Sequence, residues 1–442
     1  IVRMSGKDAL RIADLVFRGK QLPSEVQTHT INYGMFVDPE TNENIDTVLV
    51  SIMREPKSYT GFDTVEINCH GGVLNTKRVL ETLIYQGARL AEPGEFTKIS
   101  FLNGKMDLSQ VEAVADLIHA KTEGARKSSI SQFMGNLSSQ IDDLRGRLLH
   151  LCSLLELDLD FAEENLLNID SNIVFDKVSE IQIQIKKLLS TYDTGHLIRD
   201  GARVAILGKP NVGKSSLLNA ILMKNRAIVS EMPGTTRDFI EEVVDIGGIP
   251  FTFVDTAGLR ETENQIEKIG IDITRKQVEN SDLVIFLMDS SEPFDKNDEE
   301  IISFLRKLKE SELIKKVIFV CNKADIKYPE ERHIRDFVND DFISISATSN
   351  MGIDVLKNRI KALFECNVSF DSPMISRIRH KLALESSMKE LADARTALRR
   401  NLSFEFVALD VRKAVSCLSE ITGEITNNEI LDSIFSGFCI GK

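Results

Sequence analysis

The sequence predicts a multi-domain protein of α/β and α class, with an N-terminal α+β domain, a discontinuous helical domain and an α/β domain inserted in it. Three observations carry this expectation. At 442 residues the chain is too long for one hydrophobic core, and roughly two to four domains are expected. The texture of the sequence changes at Gly201, where buried-strand runs begin to alternate with helical stretches. It changes back after about Val368, so the helical texture flanks the α/β segment on both sides.

Each part has its own signal. Residues 1–105 mix short β-like runs, Asp46 to Ile52 and Thr64 to Ile67, with turn-forming Gly and Pro. In residues 106–200 apolar residues recur at three and four: Val111, Val114, Leu117 and Ile118, then Leu144, Leu148, Leu151 and Leu155, and again from Ile173 to Leu189. Residues 201–366 hold the short apolar, β-branched runs Arg203 to Leu207, Phe251 to Val254, Leu283 to Met288, Val317 to Val320 and Phe342 to Ile345. Such runs alternating with helices predict a parallel sheet covered on both faces. Residues 367–442 return to helix, from Met374 to Asn401 and from Phe404 to Leu418.

Composition narrows the function classes. A hydrophobic content of 42% and a charged content of 27% are ordinary for a soluble globular protein. No apolar run is long enough to span a membrane, and the start lacks the order of a secretory leader. Six scattered cysteines without a CxxC pair argue against a zinc site or a disulfide framework, and a reduced cytoplasmic setting is expected. A net charge of −13 speaks against nucleic-acid binding over the whole surface. Arg377 to Lys413 nevertheless holds nine Lys or Arg against five Asp or Glu. This stretch reads either as a phosphate-backbone contact or as a solvated helix face.

The chemistry concentrates in the inserted domain. Gly208-Lys209-Pro210-Asn211-Val212-Gly213-Lys214-Ser215 matches GxxxxGK[ST], after a predicted strand and before a helix opening at Ser216. Its glycines let backbone N–H groups face phosphates, and the helix N-terminus adds positive potential. Lys214 is expected to neutralise the β- and γ-phosphates, and the Ser215 hydroxyl to ligate Mg²⁺. Asp255-Thr256-Ala257-Gly258 closes a strand, where Asp255 can hold a magnesium-bound water and Gly258 N–H can reach the γ-phosphate. Asn322-Lys323-Ala324-Asp325 ends another strand. A carboxylate at Asp325 accepts from guanine N1–H and the 2-amino group, neither of which adenine offers. Ser346-Ala347-Thr348 ends the next strand, where a backbone N–H can meet the guanine oxygen. Four such elements in order at strand ends point to a GTP-binding domain.

Between the first two elements lies Gly234-Thr235-Thr236-Arg237-Asp238. A Thr here can ligate Mg²⁺ while the γ-phosphate is present and release it afterwards. Thr236 is the first choice and Thr235 the alternative. In Ras-like proteins the residue after DxxG is a Gln that orients the attacking water; here it is Leu259. Hydrolysis then needs another polar group, and the charged segment Arg260 to Gly270 offers the carboxylates Glu261, Glu263 and Glu267. The residues alone do not choose among them.

GKPNVGKS, the GTTRD loop, DTAGLRET with Ile266 to Gly270, and the terminal Phe438-Cys439-Ile440-Gly441-Lys442 together resemble the tRNA-modification GTPase family MnmE, also called TrmE. The resemblance extends through Tyr59-Thr60-Gly61, His70-Gly71-Gly72, Pro93-Gly94-Glu95-Phe96 and Phe101 to Leu108, and so covers essentially the whole chain. It implies a homodimer, an N-terminal domain binding 5-formyl-tetrahydrofolate, and a helical domain carrying an inserted Ras-like GTPase domain. It also implies potassium-stimulated GTP hydrolysis, with K⁺ held by Asn211 and the loop Ser230 to Thr235, including Met232. Oxygen donors of this kind suit a hard cation, and a cation there can stabilise transition-state charge. The resemblance assigns Glu267 as the catalytic carboxylate and Arg3, Glu66, Lys105 and Lys442 as folate-site residues. It places Cys439 at a modification centre, where a structural thiol is an equally simple reading. It further implies about 20 residues before Ile1, leaving the first strand of the folate domain incomplete. The implied partners are tRNA and the FAD-dependent protein MnmG, and the implied product is a wobble uridine modified at carbon five. Two other functions fit the same GTPase core: a switch in ribosome assembly or regulation, and a folate-dependent one-carbon transferase regulated by GTP. The acidic balance and the CIGK tail favour the tRNA-modification reading.

Overall fold

The computed structural model describes residues 1–160, 170–225, 241–255, 278, 280–311, 316–327, 342–364, 372–425, 431, 434–438 and 441. The chain forms two compact units: Ile1–Ala115 with Gln132–Val178 and Ser386–Lys442, and Asp116–Ser131 with Ser179–Glu385.

In the first unit, strands β1 (Val2–Ser5), β2 (Phe17–Gly19), β3 (Thr30–Val37), β4 (Asn44–Met53) and β5 (Thr64–Asn68) form an antiparallel sheet in the order β1-β5-β4-β3-β2. Alternation sets its buried face. Val48, Val50 and Ile52 are buried, whereas Leu49 between them is exposed. Helices α1 (Ala9–Val16) and α2 (Val73–Tyr85) supply Ile12, Ala13, Val16, Val79 and Leu83 to the same core. Further along the chain come α3 (Glu95–Leu102), α4 (Leu108–His119), α5 (Glu123–Phe133) and α6 (Asn136–Asp160), of which the end of α4 from Asp116 and α5 up to Ser131 belong to the second unit. Of the three-and-four spacing read from the sequence, Val111 to Ile118 fall on α4, and Leu144, Leu148, Leu151 and Leu155 fall on α6, where all four are buried.

The second unit holds α7 in part (Ser171–Leu189), α8 (Tyr192–Asp200), and a sheet of β6 (Ala202–Leu207), β7 (Glu241–Ile246), β8 (Ile249–Asp255), β9 (Leu283–Asp289), β10 (Val317–Asn322) and β11 (Phe342–Ser344). Its order is β11-β10-β9-β6-β8-β7. Helices α9 (Lys214–Asn225), α10 (Lys296–Glu310) and α11 (Ile353–Leu363) accompany it. The sheet is parallel except for β7, an edge strand the sequence reading does not include, which pairs antiparallel with β8. The link between them is Gly247-Gly248 at φ 69° and 90°, a two-residue turn that needs positive φ at both positions.

Two faces of this sheet are buried in separate cores, and strand alternation assigns the residues. Val204, Ile206, Leu283, Ile285, Leu287, Ile318 and Val320 enter one core. Their neighbours Ala205, Leu207, Val284, Phe286, Met288, Phe319 and Cys321 enter the other. Fully burying each of the larger chains contributes about 1.5–3 kcal/mol, which is why these strands read as continuous apolar runs.

The first core also takes Ala125 from α5, Ile198 from α8 and Met374. Thr122 donates to the Gly248 carbonyl at 2.7 Å. The compact unit is thus wider than the α/β run alone. Where the chain leaves it, the Ile375 N–H donates to Thr191 Oγ1 at 3.1 Å. A Cβ on Gly195 would lie 2.3 Å from the Ile375 oxygen, so only glycine allows this approach. The chain continues into α12 (Ile378–Arg399) and α13 (Phe404–Thr422), and α13 packs on α6 within the first unit.

Candidate functional site

The glycine-rich loop joins β6 to α9, as its motif requires. Asn211 sits at φ 63° and Gly213 at φ 96°, which curls the backbone. Lys214 opens α9 and donates Nζ to the carbonyls of Gly208 and Lys209, at 2.8 and 2.9 Å. The ammonium is therefore held within the loop, where it can neutralise phosphate. Ser215 and Ser216 follow in the first turn and are exposed. Val212 anchors the loop from below and is 1% exposed. Asp255 ends β8 with its Cα paired to that of Ile206, so the second motif starts beside the strand that feeds the loop.

Asn322 joins three motifs. Its Nδ2 donates to the Val212 carbonyl at 2.8 Å, and its Oδ1 accepts from Ala347 N–H at 3.0 Å. The residue is 2% exposed, so both polar atoms serve the backbone of the phosphate loop and of the Ser346-Ala347-Thr348 turn. Ser346 N–H donates to the Met351 carbonyl at 2.9 Å, and Ser346 Oγ lies 3.1 Å from Thr348 Oγ1. The Ser349 N–H donates to Ser346 Oγ at 3.2 Å, which closes the turn. Lys323 adopts φ 62° and pairs with Asp289 Oδ2 at 2.5 Å. Asp325 lies on the exposed side of the turn.

Sequence reasoning missed two charged groups here. Lys209 Nζ meets Asp298 at 2.6 Å and Asp295 at 3.1 Å, at the N-terminus of α10. Burial would lower the Lys209 ammonium, but the bonds to Asp298 and Asp295 outweigh it and push it up. Burial likewise pushes the Asp289 carboxyl up, and the bonds from Lys323 and Ser291 more than reverse this, leaving it below the usual range. Only the tertiary pairing reveals either group. The Asp-Ser-Ser run after an apolar strand is a turn signal in sequence and nothing more.

In the first unit, Arg3 on β1 and Glu66 on β5 are cross-strand partners, with Arg3 Nε 2.7 Å from Glu66 Oε1. Arg3 Nη1 also donates to the Gly441 carbonyl at 3.3 Å, and its guanidinium lies 5.6 Å from the Phe96 ring centroid. The structure thus joins two of the expected folate residues to the end of the chain. Lys105 instead donates to the Pro56 carbonyl at 2.6 Å, and no contact brings it to Arg3 or Glu66 among the described residues. Phe435 and Phe438 pack with Phe101, Leu108 and Val111. Gly94, at φ 69°, lets the chain pass close to them: a Cβ there would lie 3.0 Å from Phe438 Cβ.

Residues 108–439 match the family model of the MnmE helical domain, and residues 1–105 that of the GTP-binding protein TrmE N-terminus. The chain is 41% identical to the tRNA modification GTPase MnmE of Acetivibrio thermocellus, over 100% of this chain and 96% of that protein. It is 42% identical to that of Thermoanaerobacter pseudethanolicus, over 100% and 96% respectively. The chain belongs to the MnmE family of tRNA modification GTPases. A solved G domain of the T. maritima FeoB iron transporter, 26% identical over 37% of this chain and 98% of that one, has a TM-score of 0.27; the assignment rests on the full-length relatives.

This MnmE-family protein is therefore a GTPase with a tripartite build: N-terminal TrmE domain, helical domain and α/β GTP-binding domain. Of the expected site residues, Ser230, Met232, Thr235, Thr236, Thr256, Ala257, Gly258, Glu267, Cys439 and Lys442 lie outside the described residues. Several cations of the basic stretch Arg377 to Lys413 make contacts within the protein, while Lys389, Arg399, Arg400, Arg412 and Lys413 are exposed. Arg377 pairs with Asp116 at 2.6 Å, Arg412 Nε with Glu156 at 2.9 Å, and Lys413 with Asp410 at 3.4 Å. Arg395 and Arg399 lie over the Phe175 ring. Among the described residues, no helix is long and apolar enough to cross a membrane.

Proposed function

We propose that this chain is a potassium-activated GTPase whose cycle drives 5-carboxymethylaminomethyl-type modification of the wobble uridine of tRNA. It acts as a homodimer with the FAD-dependent partner MnmG, using a one-carbon unit from 5-formyl-tetrahydrofolate. The observation that carries the reading is the Asn322 bridge, which ties the phosphate loop to the base-reading turns in a chain 41% identical to an MnmE over its full length.

The donors fit the ions expected. Ser215 is an exposed hydroxyl in the first turn of α9, suited to Mg²⁺, with Thr236 as its partner ligand. Asn211 presents an exposed amide on a left-handed turn, an oxygen donor suited to K⁺. Potassium would supply positive charge to the transition state. Lys214 neutralises phosphate oxygens, Asp325 selects guanine, and Glu267 orients the attacking water through a second water because Leu259 cannot. Arg3 and Glu66 offer a base and an acid, as the charged glutamate tail and pterin edge of a folate require. The domain reading is 1–105 for folate binding, 106–200 and 367–442 for the helical domain, and 201–366 for the GTPase.

GTP turnover in potassium against sodium tests the reading. Potassium should accelerate turnover. Glu267→Ala should keep GTP binding while turnover falls on the order of 10²-fold. Equal rates in both salts would remove the cation from the mechanism. A Glu267→Ala protein that still modifies tRNA alongside the partner would uncouple hydrolysis from the chemistry.

A further inference from the structure

Asp289 ends β9 directly beside Asn322, its Cα partner across the parallel pair. Its side chain is 3% exposed and fully engaged. Oδ2 accepts from Lys323 Nζ at 2.5 Å. Oδ1 accepts from Ser291 N–H at 2.9 Å and from Ser291 Oγ at 2.6 Å. The next residue, Ser290, grips the same turn from the backbone side, donating to the Asn322 carbonyl from N–H at 2.9 Å and from Oγ at 2.7 Å.

The turn these groups hold is a strained one. Lys323 sits at φ 62°, a left-handed conformation that is unfavourable for a residue bearing a Cβ. A lysine also gives up rotamer freedom when its four-carbon stem is fixed. Neither expense is needed to end a strand. What the conformation does is turn the chain so that Ala324 N–H reaches the Ile345 carbonyl at 3.0 Å, Ile326 N–H reaches the Lys323 carbonyl at 3.0 Å, and Asp325 faces outward between them.

We propose that Asp289 is a positioning residue for base recognition: it holds Lys323 in its left-handed turn and so sets the direction in which Asp325 presents its carboxylate. The proposal rests on the reading of Asp325 as the guanine-selecting group. Two hydrogen bonds to one base edge demand an oriented carboxylate, whereas a single bond tolerates rotation. The loss of orientation should therefore fall most heavily on a base that uses both bonds.

Competition of GTP, inosine triphosphate and xanthosine triphosphate against labelled GDP on the full chain tests this. Inosine lacks the 2-amino group and makes one bond where guanine makes two. Asp289→Asn should weaken GTP about tenfold and inosine triphosphate much less, with the loss falling on KM more than on kcat. In a Lys323→Met background, Asp289→Asn should add less than about twofold, because the two act as one unit. Should Asp289→Asn not fold, Ser291→Ala removes only the hydroxyl bond to Asp289 and should shift the GTP-to-inosine ratio in the same direction. An unchanged ratio, an equal loss for both nucleotides, or a full additional loss in the Lys323→Met background would each overturn the proposal. Asp325→Asn separates the two readings by preferring xanthosine triphosphate. If it keeps its preference for GTP, the base reading falls and the brace with it; if it switches while Asp289→Asn behaves as wild type, the brace alone falls.

Discussion

Replacing Asn322 by Ala should weaken the α/β unit and its nucleotide site together. The side chain is 2% exposed and makes one donated and one accepted bond, to Val212 O at 2.8 Å and from Ala347 N at 3.0 Å. Val212 and Ala347 are themselves buried, so no water readily replaces the lost partner. Leaving a buried polar group unsatisfied costs about 1–3 kcal/mol, and two are orphaned here, so a loss of roughly 2–4 kcal/mol is expected after partial relaxation. Urea unfolding followed by circular dichroism measures the loss, and the dissociation rate of labelled GDP reports the loosened loop. Asn322→Asp should do no better, because a carboxylate cannot donate to the Val212 carbonyl. A midpoint for Asn322→Ala that corresponds to less than about 0.5 kcal/mol, the range of ordinary surface substitutions, would refute the bridge as a source of stability.

Three further outcomes are expected. Gly213→Ala should cut nucleotide affinity by more than about tenfold, because φ is 96° and a Cβ would lie 2.4 Å from Asn322 Nδ2. Combining it with Asn322→Ala should cost less than the sum of the two single losses, and strictly additive dissociation constants would refute the clash. The Asp289 carboxyl is depressed in the folded state despite its burial, so its stabilisation is present above the ordinary carboxylate value of about 3.9 and is lost as the pH falls through the lower folded value. Wild type and Asp289→Asn should differ in urea midpoint at neutral pH and converge in acid; a gap that does not change with pH would contradict the pairing. Burial pushes the Cys321 thiol up to about 12 and the Cys152 thiol up to about 11, so iodoacetamide at pH 8 should label both slowly in the native protein and rapidly in urea. Equal labelling rates in the two conditions would show these thiols to be accessible.

The parallel strands were legible because each face of β9 and β10 is covered. Leu283 to Met288 therefore carries no polar residue to interrupt the apolar run. Edge strand β7 was not legible, since Glu241, Glu242 and Asp245 mask its alternation, although Gly247-Gly248 was a usable hairpin signal. The nucleotide motifs could be read because phosphate and guanine fix both residue type and spacing. Asp289 and Asp298 could not, since each acts through a partner brought near only by the sheet and helix packing. Charge counting over Arg377 to Lys413 likewise did not show which partners these cations find within the protein. Arg412 finds Glu156 from 256 residues away, and Phe175 takes up Arg395 and Arg399.

The fastening of Ile375 to Thr191 has a consequence for how the chain acquires its structure. Helices α6 and α13 pack together, with Cys152 Sγ 4.0 Å from the Ala408 carbonyl across 256 residues of sequence. Before anything folds, bringing those ends together means closing a loop of that length. The Thr191 to Ile375 link spans 184 of the intervening residues. Once it has formed, roughly 70 residues of slack remain, and the entropy of closure falls by about 1 kcal/mol. The inserted unit should therefore act as a kinetic tether, folding first and shortening the search by which the two halves of the helical domain meet. In stopped-flow refolding, a variant that loosens this link, such as Gly195→Val, should delay the pairing of α6 with α13 while leaving the early α/β signal in place.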